Sequence, residues 1–218
     1  MPVFARRTAD YTRAEVLSDA VVHGLGLVAV LVAVPVLVTL AAVLRGDMAT
    51  VTAAAVYGGA LILMIACSAI YNTVGRQRWG HVLQRLDHSA IYVKIAGTYT
   101  PFLTLSGGQA GWLLTGIWGA ALVGVGLKLA SPNRWRWIGL ALYLALGWAG
   151  LFAGADFLAT LSTPVLVLIL TGGALYTLGV LFYLAEGMPF HYTIWHVLVL
   201  AASFVFYAAV TVQVVTTA

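Results

Sequence analysis

Several apolar stretches of this sequence carry side chains able to do chemistry. RLDHSAIYVKIAGTYTPF, residues 85–102, places Asp87, His88 and Lys94 inside an otherwise hydrophobic run, and a carboxylate at the middle of a membrane span costs roughly 2.5–3.5 kcal/mol. Such a cost implies partners. Ser68 and Asn72 stand four residues apart, as do Tyr192 and His196, a spacing that puts each pair on one helical face. Glu15, Ser18, Asp19 and His23 open an earlier apolar run. A carboxylate, imidazoles, an amide and hydroxyls held away from water could bind a lipid, or change shape on protonation of Asp87 or His196, because histidine titrates near neutral pH. Each residue also has a plainer reading. Asp87 would cap the start of its helix, Ser68 would bond its own backbone, and His23, His81 and His88 would sit at the membrane interface. Lys94, two turns beyond Asp87 and about 10 Å along the helix axis, is too far for a direct ion pair.

The elements that must position these groups follow from composition. Of 218 residues 62% are apolar and only 8% charged, whereas about a quarter of a soluble domain is charged. An all-α integral membrane protein is the expectation. Runs long enough to cross about 30 Å of hydrocarbon number seven, at 21–44, 50–72, 86–105, 112–130, 137–153, 158–184 and 194–216. The connections are short, so residues 18–218 read as a single seven-helix transmembrane domain behind an arm of residues 1–17 that lacks the apolar core of a signal peptide. Arg6, Arg7, Arg13, Arg76, Arg78, Arg85, Lys128, Arg134 and Arg136 would fall on one side and Arg45 alone on the other. That asymmetry predicts a cytoplasmic N-terminus and an outside C-terminus, and the expected residence is the plasma (inner) membrane. It also brings Ser68, Asn72, Asp87, His196 and His23 to one depth near the cytoplasmic face. The net charge of +4 then suits topology and anionic lipid, and not a nucleic acid, since no basic patch is interleaved with exposed aromatics. Trp112, Trp135 and Trp137 read as interfacial anchors. Gly150 with Gly154, and Gly172, Gly173 and Gly179, read as places where helices approach closely.

Five stretches carry a family resemblance: EVLSDAVVHGLG (15–26), CSAIYN (67–72), RLDHSAIYVKIAGTYTPF (85–102), GGALYTLGVLFY (172–183) and PFHYTIWHVLVL (189–200). In these the chain resembles the hemolysin III family, bacterial relatives of the progestin and adiponectin receptors that share a superfamily with alkaline ceramidases. The resemblance implies a seven-helix bundle and a zinc site near the cytoplasmic face, with one histidine on the second span, two on the seventh, and a serine and an aspartate beside the metal. Carried over, these positions are Ser68, Asn72, Asp87, Tyr192 and His196. Two of the three histidines are replaced, by Asn72 and Tyr192, leaving His196 as the family's metal ligand. Three imidazoles make a good open zinc site; one imidazole, an amide and a phenol do not. His191 stands five residues from His196, a spacing that turns its side chain away.

Three functions follow from these features. A non-enzymatic, receptor-like or membrane-stress regulator would use Asn72, Tyr192, His196 and His23, with Ser68 and Asp87, as a polar core that binds a lipid. A ceramidase-like lipid amide hydrolase would use zinc, with Asp87 as general base and Ser68 at the oxyanion. A pore, which the family name suggests, would need a polar lining that these spans lack. Sequence alone carries no indication of oligomeric state.

Overall fold

The computed structural model describes residues 11–73, 79–106, 111–131, 133–152 and 154–216. Residues 1–10 of the N-terminal arm, with Arg6 and Arg7, and Arg76 and Arg78 of the second connection lie outside the described residues. Helix α1 spans Arg13–Leu44, α2 Met48–Thr73, α3 Gly80–Thr104, α4 Gly111–Ala130 and α5 Arg136–Trp148, the last continued by a 3₁₀ turn, Ala149–Phe152. A short α6, Ala155–Ala159, leads into α7, Thr163–Leu184, and α8, His191–Thr216. No strand occurs among the described residues.

Local chemistry sets the ends of these helices. Thr12 and Glu15 form a reciprocal capping box at the start of α1, Glu15 Oε2 accepting from Thr12 N at 2.9 Å and Thr12 Oγ1 from Glu15 N at 3.3 Å, so α1 begins well before residue 21. Gly46, at φ +69°, turns the chain between α1 and α2. Asp47 then accepts from the Thr50 amide and hydroxyl, both at 2.8 Å.

Three expectations are revised. The apolar run 158–184 is not one helix: Ser162 is extended, with Pro164 in the first turn of α7, and proline cannot continue a helix from the residues before it. Gly150 lies in the 3₁₀ turn and Gly154 adopts φ +100°, so these two glycines do not pair along a helix. Asp87, seven residues into α3, lies too deep to cap it.

Five described helices, α1, α2, α4, α7 and α8, are long and apolar enough to cross a membrane. Helix α3 is long but polar, and α5 with its 3₁₀ turn is apolar but short. Packing explains the difference in α3. It is the inner helix, lying along α2 and α4 and also touching α5 and α8, so Asp87, Lys94, Thr98 and Thr100 are buried. Small residues allow this: a Cβ on Gly97 would lie 2.6 Å from Ala60, and one on Gly124 of α4 would lie 2.4 Å from the Tyr92 ring. Leu25, Val28, Val32, Val43, Leu122, Val123 and Leu181 face outward and are exposed, the apolar exterior that a hydrocarbon solvent requires. Helix α7 packs chiefly on α8, and α5 barely touches α7. A cavity opens in the interior between them.

Candidate functional site

Four helices bring polar side chains to one end of that cavity. On α1, Asp19 and His23 stand one turn apart; α2 supplies Ser68 and Asn72 from its last turns, α3 supplies Asp87, and α8 supplies Tyr192 and His196 from its first turns. Asp19, His23, Asn72, Asp87 and His196 are all buried and Ser68 half-buried. In an apolar bundle such groups persist only when they satisfy one another.

The bonds form a continuous chain. Asn72 Nδ2 donates to the Ser68 carbonyl at 2.9 Å and reaches Ser68 Oγ at 3.3 Å. Ser68 Oγ lies 3.0 Å from His23 Nε2, and His23 Nδ1 lies 2.8 Å from the Asp19 carbonyl and 3.7 Å from Asp19 Oδ2. Asp19 Oδ1 is 2.5 Å from His196 Nδ1. Asp87 interacts with the Ser68 side chain and, electrostatically, with His196 and Asp19. Ring contacts complete the set: His23 and His196 meet edge to face with centroids 4.3 Å apart, and Tyr192 meets His196 edge to face at 4.5 Å.

The cavity that these groups floor holds about 450 Å³, within the usual range for small-molecule sites. It follows α3 from Asp87 past Ile91, Lys94, Ile95 and Thr98 to Phe102, roughly 22 Å at 1.5 Å per residue. Its walls are mainly apolar, among them Phe157, Leu161, Leu166 and Ile169. His23, Ser68, Asp87, Tyr192 and His196 line it, whereas Asp19 and Asn72 stand behind.

Lys94 is a further polar group of the lining, to which His88, Lys128 and Arg136 also belong. Its Nζ lies over two rings, 4.4 Å from the Tyr176 centroid and 4.8 Å from that of Phe206, and no carboxylate pairs with it among the described residues. The rings are fixed in turn. Tyr176 Oη bonds Ser203 Oγ at 2.7 Å, and Gly172 leaves room for Phe206, whose ring a Cβ there would meet at 2.6 Å. Gly172 thus serves a side chain and not a bare helix–helix contact.

The histidines divide into separate environments. His88 is not an interfacial residue: it lines the cavity, and its carbonyl accepts from Tyr143 Oη at 2.7 Å. His191 is turned from His196 toward Tyr11 Oη at 3.2 Å and the Phe182 carbonyl at 3.1 Å, while His81 is exposed. The donors at the implied zinc positions do not fit that metal. Asn72 turns its amide N–H onto Ser68, and Tyr192 presents a phenol ring to His196, so neither supplies an imidazole nitrogen. Asp19 has the role least visible in the sequence, joining His23 on its own helix to His196 from α8. Only its four-residue spacing to His23 hinted at it. Together Asp19, His23 and His196 offer three ligand atoms within 4.8 Å of one another.

Comparison with known proteins shows what the chain as a whole is similar to. A family model described as Haemolysin-III related matches residues 12–207. The Hemolysin-3 homolog of Bacillus subtilis (strain 168) is 35% identical over 197 residues, covering 88% of this chain and 91% of that protein. Hemolysin-3 of Bacillus cereus is 34% identical over 206 residues, 94% of each chain. Monocyte to macrophage differentiation factor of Homo sapiens is 29% identical over 164 residues, 71% of this chain and 67% of that protein.

Proposed function

We propose that this chain, which belongs to the Haemolysin-III related family, is a receptor-like regulator of the inner membrane that binds a single-chain anionic amphiphile between its helices. The observation that carries this reading is the cavity: about 450 Å³ of mostly apolar space, with Lys94 on one wall and a hydrogen-bonded polar floor at one end. An acyl chain suits the walls, and an acidic head group suits an amine that lies over two aromatic rings.

Seven spans and a cytoplasmic N-terminus belong to the same reading. Five helices qualify by composition; α3 is shielded by its neighbours, and α5 with its 3₁₀ turn reaches roughly 25 Å at helical rise. Arg13 at the start of α1, Arg85 near the start of α3, Lys128 at the end of α4 and Arg136 at the start of α5 support the orientation, since antiparallel neighbours bring those ends to one side. The absence of imidazoles at 72 and 192 favours binding over zinc-dependent amide hydrolysis at the family positions.

The test is native mass spectrometry of the full chain purified in mild detergent, followed by titration with a long-chain fatty acid after delipidation. One retained amphiphile per chain, displaced in an Ile91→Trp variant that fills the cavity, is the expected result. A folded chain that retains none, and that the fatty acid does not stabilise, refutes the proposal.

A further inference from the structure

Three basic side chains from three helices meet at one corner of the chamber. His88 of α3, Lys128 from the last turn of α4 and Arg136 at the start of α5 all line it, in a chain with only 11 lysines and arginines among 218 residues. We propose that His88, Lys128 and Arg136 form a phosphate site, and that the amphiphile is a single-chain glycerophosphate with its phosphomonoester at this corner. The site rests on the lipid chamber proposed above and names the head group that enters it.

The corner is built around one amine. Lys128 is buried, and its Nζ lodges where α5 carries a glycine: a Cβ on Gly139 would fall 2.6 Å from it. The Tyr143 ring flanks it, with its centroid 5.8 Å away. Lys128 interacts electrostatically with His88 on α3 and with Arg136 on α5. Cations gathered in a low-dielectric interior repel one another, and an anion among them offsets that repulsion. His88 Nδ1 is buried without a hydrogen-bond partner among the described residues, so the ring has a nitrogen to offer an acceptor once it turns. Two carboxylates bear on the corner. Asp87 is engaged elsewhere, with Ser68 and His196 of the polar floor. Arg136 Nη2 donates to Glu186 Oε1 at 2.8 Å, but the Glu186 side chain is 38% exposed, and exposed ion pairs are weakly held. A phosphate therefore turns Glu186 toward water and takes the guanidinium fork, whose geometry suits its oxygens. At pH 7 a phosphomonoester carries a charge of about −1.5 to −2, which matches Lys128 and Arg136 together where a carboxylate matches one. Lys94, six residues beyond His88, stands roughly 9 Å further along α3. A glycerol linker bridges that gap, so the Lys94 ammonium meets the acyl ester carbonyl while the chain continues toward Phe102.

The experiment titrates the full chain, delipidated in mild detergent, with oleoyl lysophosphatidic acid, oleic acid, oleoyl lysophosphatidylcholine and inorganic phosphate. Lysophosphatidic acid should bind about tenfold or more tighter than oleic acid, the worth of one added charge-assisted hydrogen bond. Lysophosphatidylcholine, whose phosphate is a capped diester, should gain no such advantage. Lys128→Met and Arg136→Gln should each remove about tenfold from lysophosphatidic acid binding and leave oleic acid binding unchanged, whereas Arg134→Gln, an exposed cation outside the lining, should change neither. Should Lys128→Met fail to fold, Arg136→Gln at the rim carries the same comparison. Oleic acid that binds as tightly as lysophosphatidic acid, or variants that lose both ligands equally, refute the phosphate site and leave the lipid chamber standing. Neither lipid binding refutes both. Inorganic phosphate that stabilises the parent as well as lysophosphatidic acid does would overturn the assignment to a lipid.

Discussion

Replacing Lys94 by methionine should make the protein more stable and a worse lipid binder at once. The side chain is 3% exposed, and burying one ammonium costs several kcal/mol even after relaxation. Against that stand two aromatic rings, at 4.4 and 4.8 Å from Nζ. Desolvated cation–π contacts contribute about 2 kcal/mol each, so the rings offset much of the penalty without exceeding it. Methionine keeps the unbranched length, fills the same space and packs well against aromatic rings. Exchanging a buried charged group for a well-packed apolar one stabilises by about 1–4 kcal/mol in comparable cases; with the rings already offsetting part of the cost, about 1–3 kcal/mol is expected. For a chain of this size that corresponds to roughly 2–4 °C per kcal/mol in the midpoint of thermal unfolding. The assay is thermal unfolding of parent and Lys94→Met in one detergent, delipidated, with and without fatty acid. The variant should melt higher without ligand and gain less from the fatty acid than the parent. A variant destabilised by more than about 1 kcal/mol would mean that Lys94 makes an interaction stronger than the two rings supply, and undiminished stabilisation by fatty acid would remove Lys94 from the binding site.

Three further outcomes follow from the geometry. In chelator, Asp19→Leu and His196→Leu should each cost about 3–5 kcal/mol, because each strands a buried polar partner; the double variant should lose less than the sum by more than about 1 kcal/mol, and additive losses in chemical unfolding would refute the coupling. Gly124→Ala should cost about 1–3 kcal/mol, since its Cβ would fall 2.4 Å from the fully buried Tyr92 ring, whereas Gly126→Ala, with nothing within 4 Å, should change the melting temperature little. The Thr50 amide and then its hydroxyl hold the Asp47 carboxyl below the usual carboxylate range. Its small contribution is therefore complete above the ordinary carboxylate pKa and fades as pH falls through the lowered one, a dependence that Asp47→Asn should abolish in a pH series of unfolding midpoints.

How much of this was legible in the sequence depended on whether the cause was local. Most of the apolar runs correspond to helices because hydropathy and helix periodicity act within one segment, and the pairs Ser68/Asn72 and Tyr192/His196 share faces for the same reason. The break at 160–162 was also written locally, in Ser162 and Pro164, but the apolar residues on both sides masked it. Asp19 was different. It owes its place to His196, 177 residues away in the chain, and nothing in either neighbourhood announces that pairing. The surroundings of Lys94 were hidden in the same way, since its rings come from α7 and α8 and fit only because Gly172 leaves room for Phe206.

The polarity of α3 sharpens the argument about topology. Hydropathy treats every helix as though lipid surrounded it, and by that measure α3, with Arg85, Asp87, His88 and Lys94, is not among the strongly apolar helices. Yet α3 is the helix with neighbours on most sides: α2 and α4 along its length, α5 and α8 across the rest. Its polar residues meet protein or the cavity instead of hydrocarbon, so the insertion penalty that hydropathy assigns them is offset by Ser68 and His196 at Asp87 and by two aromatic rings at Lys94. Asp87 and Lys94 both face the cavity. A central helix that carries the site is expected to read as less apolar than the helices around it, as α3 does.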